Sequence, residues 1–300
     1  MSRPRVAVAA VALLASACGS GSGASGAGRL DVVASFYPLA FVAERVGGEH
    51  VEVTNLTPPG AEPHDLELTP GQVRALASAD LVLFLGAGFQ PSVEDALGDV
   101  RGETVDVLSG QDDLLEPPGH GDDHDDGDEP PRDPHVWLDP LRTAAIGRLV
   151  AERLGDADPG SAGLYRANAA ALEADLRALD SEYRKGLADC ERRSLVTSHE
   201  AFGYLTAAYR LDQVGIAGID PEAEPSAARL TEVVRFVRSS GATMIFFEVL
   251  VSPAVAQTLA RETGAATARL DPIEGPPHRG DYLSAMRANL TALRAGLGCS

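Results

Sequence analysis

The sequence predicts an α/β fold: two α/β lobes with mainly parallel sheets, bridged by one long rigid helix. Three observations predict it. Short β-branched runs alternate with helical patterns over the first half of the chain. An Ala-rich stretch near the middle then keeps helical periodicity for unusually long, and beyond it the alternation resumes.

Residues 30–35 form a β-branched run of strand length, and 39–46 follow with helical spacing that stops at Gly47-Gly48. Residues 51–55 read as a strand. Residues 70–79 read as a helix, with Thr69 as N-cap and Pro70 at the favoured first position. The apolar run 81–85 has buried-strand length and is followed by Gly86 and Gly88. Residues 143–154 read as a helix. From 159 to about 187 the chain is Ala-rich, with Leu164, Leu172, Leu176 and Leu179 as an apolar stripe and charges on the other faces. A helix of about 28 residues would be about 42 Å long, enough to run the length of two lobes. Strands follow at 195–198, 244–247 and 267–270; Ser252-Pro253 opens one helix and 282–297 is the last. The expected division is a first lobe at 30–157, a bridging helix at 158–189 and a second lobe at 190–300.

Residues 1–17 read as a secretory signal: Arg3 and Arg5 precede the apolar run 6–14, and small residues close it at Ala15-Ser16-Ala17-Cys18. The run is too short to span a bilayer, which takes about 20 residues. Cys18 stands where a lipoprotein cysteine is acylated, although Ala15-Ser16-Ala17 also fits ordinary signal peptidase. Residues 19–28 are Gly, Ser and Ala, a flexible tether that favours lipidation and an anchor on the outer face of the cytoplasmic membrane.

Twenty-five basic against 44 acidic residues give a formal charge of -19. That excludes the basic face nucleic acid requires, and it suits cation capture as well as plain solubility. Cys190 and Cys299, in an exported chain, are expected to be bonded to each other; neither has the short spacing of a zinc-thiolate pair. Residues 112–133 hold His120, His124, ten carboxylates and one Arg among Gly and Pro, a composition that cannot bury a core and reads as a loop.

Four polar residues lie at the end of an apolar strand or in the loop leaving it: His64, His135, His199 and Asp271. Ligands of open α/β sheets bind at the carboxyl ends of strands. Two of the four precede the long helix and two follow it, as a site in an interlobe cleft requires. Three imidazoles and one carboxylate make a closed four-coordinate set suited to Zn2+, with no open position for a reacting water. Manganese would want more oxygen and copper(I) more sulfur. Imidazoles bind metal only when neutral, so protons should compete below about pH 6.5, the reference value for His. Taken singly, each His is more often an ordinary polar residue than a ligand.

The ordered motifs Ser35-Phe36-Tyr37-Pro38, Pro63-His64-Asp65-Leu66-Glu67, Asp133-Pro134-His135-Val136-Trp137-Leu138-Asp139-Pro140, Thr197-Ser198-His199-Glu200-Ala201-Phe202-Gly203-Tyr204, Phe246-Phe247-Glu248 and Leu270-Asp271-Pro272 carry a resemblance. Over about residues 30–299 the chain resembles the zinc/manganese-type solute-binding proteins of ABC importers. The resemblance implies two lobes bridged by one rigid helix, metal ligands at His64, His135, His199 and Asp271, and a monomeric receptor rather than an enzyme. It implies an ABC permease and its ATPase as partners. Manganese receptors of this type tend to carry Glu where this chain has His199, which favours Zn2+, with Mn2+ or Fe2+ as alternative cargo. Glu248 would support an imidazole N–H, share ligation with Asp271, or be a solvated strand-end carboxylate. His120 and His124 would supply weak, mobile metal sites, or simply belong to a solvated acidic loop. Two other classes compete. An exported zinc hydrolase would need an open coordination position with a general base near it, which Glu200 beside His199 could suggest, but there is no His-Glu-x-x-His pair on a helix; an adhesin would be supported by an exposed aromatic stripe or repeat, and neither is seen.

Overall fold

The computed structural model describes residues 28–116, 132–250 and 252–300. The first lobe comprises β1 (Leu30–Ala34), α1 (Tyr37–Gly47), β2 (Val51–Asn55), α2 (Pro70–Ser78), β3 (Leu81–Phe84), α3 (Pro91–Ala96) and β4 (Glu103–Asp106). Two long helices follow, α4 (Pro140–Ala157) and α5 (Ala162–Gly186). The second lobe comprises β5 (Ser194–Thr197), α6 (Gly203–Tyr209), β6 (Asp212–Gly215), α7 (Ala227–Ser240), β7 (Met244–Phe247), α8 (Ala254–Thr263), β8 (Ala266–Arg269) and α9 (Tyr282–Leu297). Each lobe holds one four-stranded parallel sheet, in the orders β2-β1-β3-β4 and β6-β5-β7-β8. Parallel strands require crossovers, so the loops leaving their carboxyl ends collect on one edge, and in both lobes that edge supplies residues to the same cleft.

The bridge is α5, and its 25 residues span roughly 38 Å. Leu172, Leu176 and Leu179 of its stripe are fully buried, joined by Tyr165 and Tyr183; Leu164, in the first turn, is instead 41% exposed. Helix α4 lies against it, started by Asp139, whose side chain accepts the N–H of Leu141 at 2.8 Å, with Pro140 in the first turn. Gly147 lets the two helices close up: a Cβ there would stand 3.3 Å from Leu172 Cδ2.

One apolar core runs through both lobes, from Val32, Leu39 and Leu83 past Leu172, Leu176 and Leu179 to Leu195, Phe246, Leu270 and Leu293. Smaller clusters lie outside each sheet, under α2 and α3 in the first lobe and under α7 and α8 in the second. A core continuous across the bridge leaves little apolar surface that could separate, so the lobes pack as one body. The disulfide Cys190–Cys299 ties the chain leaving α5 to the end of α9 across 109 residues. The loop-entropy account assigns such a closure about 4–5 kcal/mol. Among the described residues no helix is long and apolar enough to cross a membrane.

Candidate metal centre

His135 is delivered by the segment that opens the 3-10 turn Val136–Leu138. Asp133 grips it twice: its Oδ1 accepts the His135 backbone N–H at 2.9 Å and lies 2.8 Å from ring Nδ1. Asp133 is itself anchored, donating its N–H to the Leu115 carbonyl at 2.8 Å and accepting the Tyr204 hydroxyl at its own carbonyl, also at 2.8 Å. Next door, Trp137 packs against Phe36, Phe89 and the His135 ring, and its Nε1–H donates to the Pro272 carbonyl at 2.7 Å across the cleft.

His199 stands just past β5 and is gripped in the same way by Glu248, just past β7. Glu248 Oε1 accepts the His199 backbone N–H at 3.0 Å and Oε2 lies 2.6 Å from Nδ1. Both His135 and His199 are fully buried, and their Nε2 atoms face each other at 3.4 Å. Burial dominates at His135 and lowers its pKa. At His199 burial pulls the same way, but the charges of Glu248, Glu274 and Glu62 outweigh it and carry the pKa up to about 9. His199 and Glu248 thus share a proton across the 2.6 Å contact at Nδ1.

His64 arrives differently, on the irregular connection between β2 and α2. Its ring meets the edge of Phe89 at 4.5 Å, and its Nε2 is buried without a hydrogen-bond partner. Its backbone N–H donates to Glu62 Oε1 at 3.3 Å; burial, then the neighbouring charge of Glu274, push the Glu62 carboxyl up to about 8. Glu274 completes the group. Its Oε1 is 3.6 Å from His64 Nε2, 3.8 Å from His135 Nε2 and 3.7 Å from His199 Nε2, beyond hydrogen-bonding range in each case. Both Glu274 oxygens are buried without a hydrogen-bond partner. Burial alone would raise its pKa, but attraction from the three imidazoles lowers it, so the carboxylate is ionised.

Four ligand atoms thus lie within 4.8 Å of one another. A tetrahedral zinc with bonds of about 2.0–2.1 Å has ligand-to-ligand edges of about 3.4 Å. Four of the six separations, 3.4 Å between His135 and His199 and 3.6–3.8 Å from Glu274 to the three imidazoles, come within a few tenths of an ångström of that edge, and an ion would satisfy the buried atoms that have no other partner.

The fourth member of the cluster is Glu274, not Asp271, the carboxylate expected from the sequence. Asp271 Oδ2 is paired with Arg269 Nη2 at 2.7 Å, and its Oδ1 accepts the N–H of Ile273 at 2.8 Å. Asn289 brackets its backbone, accepting its N–H and donating to its carbonyl. Asp271 therefore folds a turn instead of facing the imidazoles. That turn passes through Ile273, whose φ of 59° is strained for a β-branched side chain, and it swings Glu274 into the cleft. Asp-Pro is a turn-initiating pair, which was the available signal that Asp271 would be spent on backbone. Glu248 has both oxygens engaged by His199 and is not among the converging atoms. Asp133 was not singled out in the sequence, because an acid two residues before a histidine carries no pattern of its own. Cys18, His120 and His124 lie outside the described residues.

The family described as zinc-uptake complex component A, periplasmic, matches residues 32–296. The zinc-binding protein AdcA of Streptococcus pyogenes is 33% identical over 287 residues, which cover 89% of this chain and 56% of the relative. This chain thus spans about half the length of the streptococcal AdcA proteins it matches. The high-affinity zinc uptake system protein ZnuA of Bacillus subtilis is 33% identical over 283 residues, covering 90% of this chain and 88% of the relative. Among solved structures, the laminin binding protein Lmb of Streptococcus agalactiae aligns with a TM-score of 0.82 at 30% identity, covering 90% and 99% of the two chains. Zn(II)-bound AdcA of Streptococcus pneumoniae aligns with a TM-score of 0.75 at 33% identity, covering 90% of this chain and 58% of that one. With two parallel-sheet lobes, a His3Glu cluster between them and a family match over most of its length, this chain belongs to the zinc-uptake complex component A family.

Proposed function

We propose that this chain is an extracytoplasmic receptor that captures Zn2+ and delivers it to an ABC importer. The observation that carries the reading is the convergence of three inward-facing imidazole nitrogens and one carboxylate within 4.8 Å of one another. Three nitrogens to one oxygen favour zinc over manganese, and four protein ligands leave no position for an attacking water, which favours holding over hydrolysis. The names of AdcA and ZnuA, as zinc-binding and zinc-uptake proteins, support the same cargo. Zinc entering the cleft displaces the proton from His199 Nε2, draws in His64 and Glu274, and leaves Glu248 and Asp133 as acceptors of the two Nδ1–H groups. Asp271 acts as a turn residue.

The reading extends to parts of the chain beyond the described residues. Residues 1–17 serve as an export signal, Cys18 as a lipid anchor, and 18–29 as its tether. His120 and His124 of the acidic segment collect zinc weakly. The lobes divide at 30–157, 158–189 and 190–300, and the receptor works as a monomer with a permease and its ATPase. Calorimetric titration of metal-stripped protein with zinc and with manganese tests the core of this. One-to-one zinc binding tighter than manganese binding is the expected result. Preference for manganese would replace the cargo, and absence of tight binding by either ion would end the receptor reading.

A further inference from the structure

We infer that Asp133 is a positioning residue, holding His135 in the one tautomer whose Nε2 lone pair faces the ion; the inference rests on the zinc-receptor reading above. Asp133 is buried, 1% exposed, and a single oxygen, Oδ1, meets both the backbone N–H and ring Nδ1 of His135. Oδ1 already accepts the backbone N–H and stands as acceptor toward the ring, so Nδ1 carries the proton and the neutral ring keeps its lone pair on Nε2. The opposite tautomer would set the Nδ1 lone pair against Oδ1 at 2.8 Å and aim an N–H into the cluster, where His199 Nε2 stands 3.4 Å away.

The surroundings are shaped to keep this carboxylate in place. Leu115 and Tyr204 fix its backbone from two sides. Gly203, at the start of α6 in the other lobe, leaves the room it needs: a Cβ there would lie 2.5 Å from Asp133 Oδ2. Glu248 builds the same two-point grip on His199 from a separate strand, 49 residues away instead of two. One geometry reached from such different chain positions points to the ring as what is being held, since no shared local backbone motif requires it.

The test begins with metal-free wild-type protein carrying 15N-labelled histidine, read by long-range 1H–15N correlation at mildly alkaline pH. His135 is expected in the Nδ1–H form, and the Nε2–H form there would overturn the proposal outright. In Asp133→Asn, whose side chain can turn its NH2 toward Nδ1, the Nε2–H form should become populated and zinc affinity should fall about 10- to 100-fold. Gly203→Ala, which displaces the carboxylate without touching any imidazole, should move both readouts in the same direction by less. Variants that melt earlier yet keep the parent tautomer and affinity would reduce Asp133 to a structural part and overturn the proposal. The tautomer is read without metal, so failure of the wild-type chain to bind zinc would sink the receptor reading and leave this measurement standing.

Discussion

The two lobes share one sheet topology and each presents a histidine gripped by a carboxylate, His135 by Asp133 and His199 by Glu248, but the first lobe adds His64, which is prepared in the opposite way. In the second lobe His199 sits immediately after a strand, fully buried, with backbone and ring both bonded to Glu248 from the neighbouring strand. In the first lobe His64 rides an irregular connection, its side chain 10% exposed, with an aromatic edge against its ring and no hydrogen-bond partner for its Nε2. The Cys190–Cys299 disulfide also lies on the second lobe's side. A common fold thus supplies one ligand that is set before the ion arrives and one that gains its polar partner only from the ion. Topology decides where ligands collect; the hydrogen-bond partner beside each one decides how rigidly it is held.

The largest test of that contrast compares His199→Ala with His64→Ala. Structural zinc sites bind with about 10–16 kcal/mol, so each of four ligands represents about 3 kcal/mol, or roughly 100-fold in affinity. His64→Ala should lose about that much. His199→Ala should lose more, and should also destabilise the metal-free protein by about 3–5 kcal/mol, because Glu248 is left buried without its partner. Equal losses, by calorimetry and denaturant melts, would erase the distinction. Next, reducing the disulfide should lower stability by roughly 2–5 kcal/mol. Hydrogen exchange followed lobe by lobe then sharpens the comparison: the continuous core predicts that amides of both lobes exchange faster together, and acceleration confined to the second lobe would show that they open separately.

Glu274→Ala should weaken zinc by about 100-fold, on the same per-ligand reasoning. Asp271→Asn, which keeps the acceptor for the Ile273 N–H, should bind zinc as the unmodified chain does; the reverse outcome would restore Asp271 as ligand. The smallest effect is with pH. The folded pKa of His199, about 9, lies above the unfolded value of about 6.5. In the metal-free protein its stabilising contribution is therefore complete below about 6.5 and lost as pH rises through about 9. Zinc needs that nitrogen free, so affinity should climb up to tenfold per pH unit between about 7 and 9 and then flatten. Titrations across that window check it, and a profile flat above about 6.5 would mean that Glu248 does not hold the His199 proton.

Much of this was legible in the residues. The alternation of β-branched runs with helical spacing placed six of the eight described strands and the bridge, because burial leaves a period that survives in sequence, but it did not yield β4, β6, α3, α6 or α7. The three histidines were legible as polar residues at strand ends or in the loops leaving them. Glu274 was not, because its place depends on a turn set by Asp271, Asn289 and the positive φ of Ile273, contacts that join distant parts of the chain. Asp133 escaped for a related reason: what marks it is the space left by Gly203, 70 residues on. Spacing records which face a residue occupies; it does not record which of two nearby carboxylates the tertiary fold turns inward.

Trp137 has an optical consequence. It is the only tryptophan in the chain, fully buried, with its ring centre 5.1 Å from that of His135 and its indole N–H on the carbonyl of Pro272, two residues before Glu274. Charge arriving on the imidazole and any adjustment of the turn would both act on this one chromophore. Emission from Trp137, against a background of six tyrosines, is therefore expected to change when the cleft is occupied, without a dye.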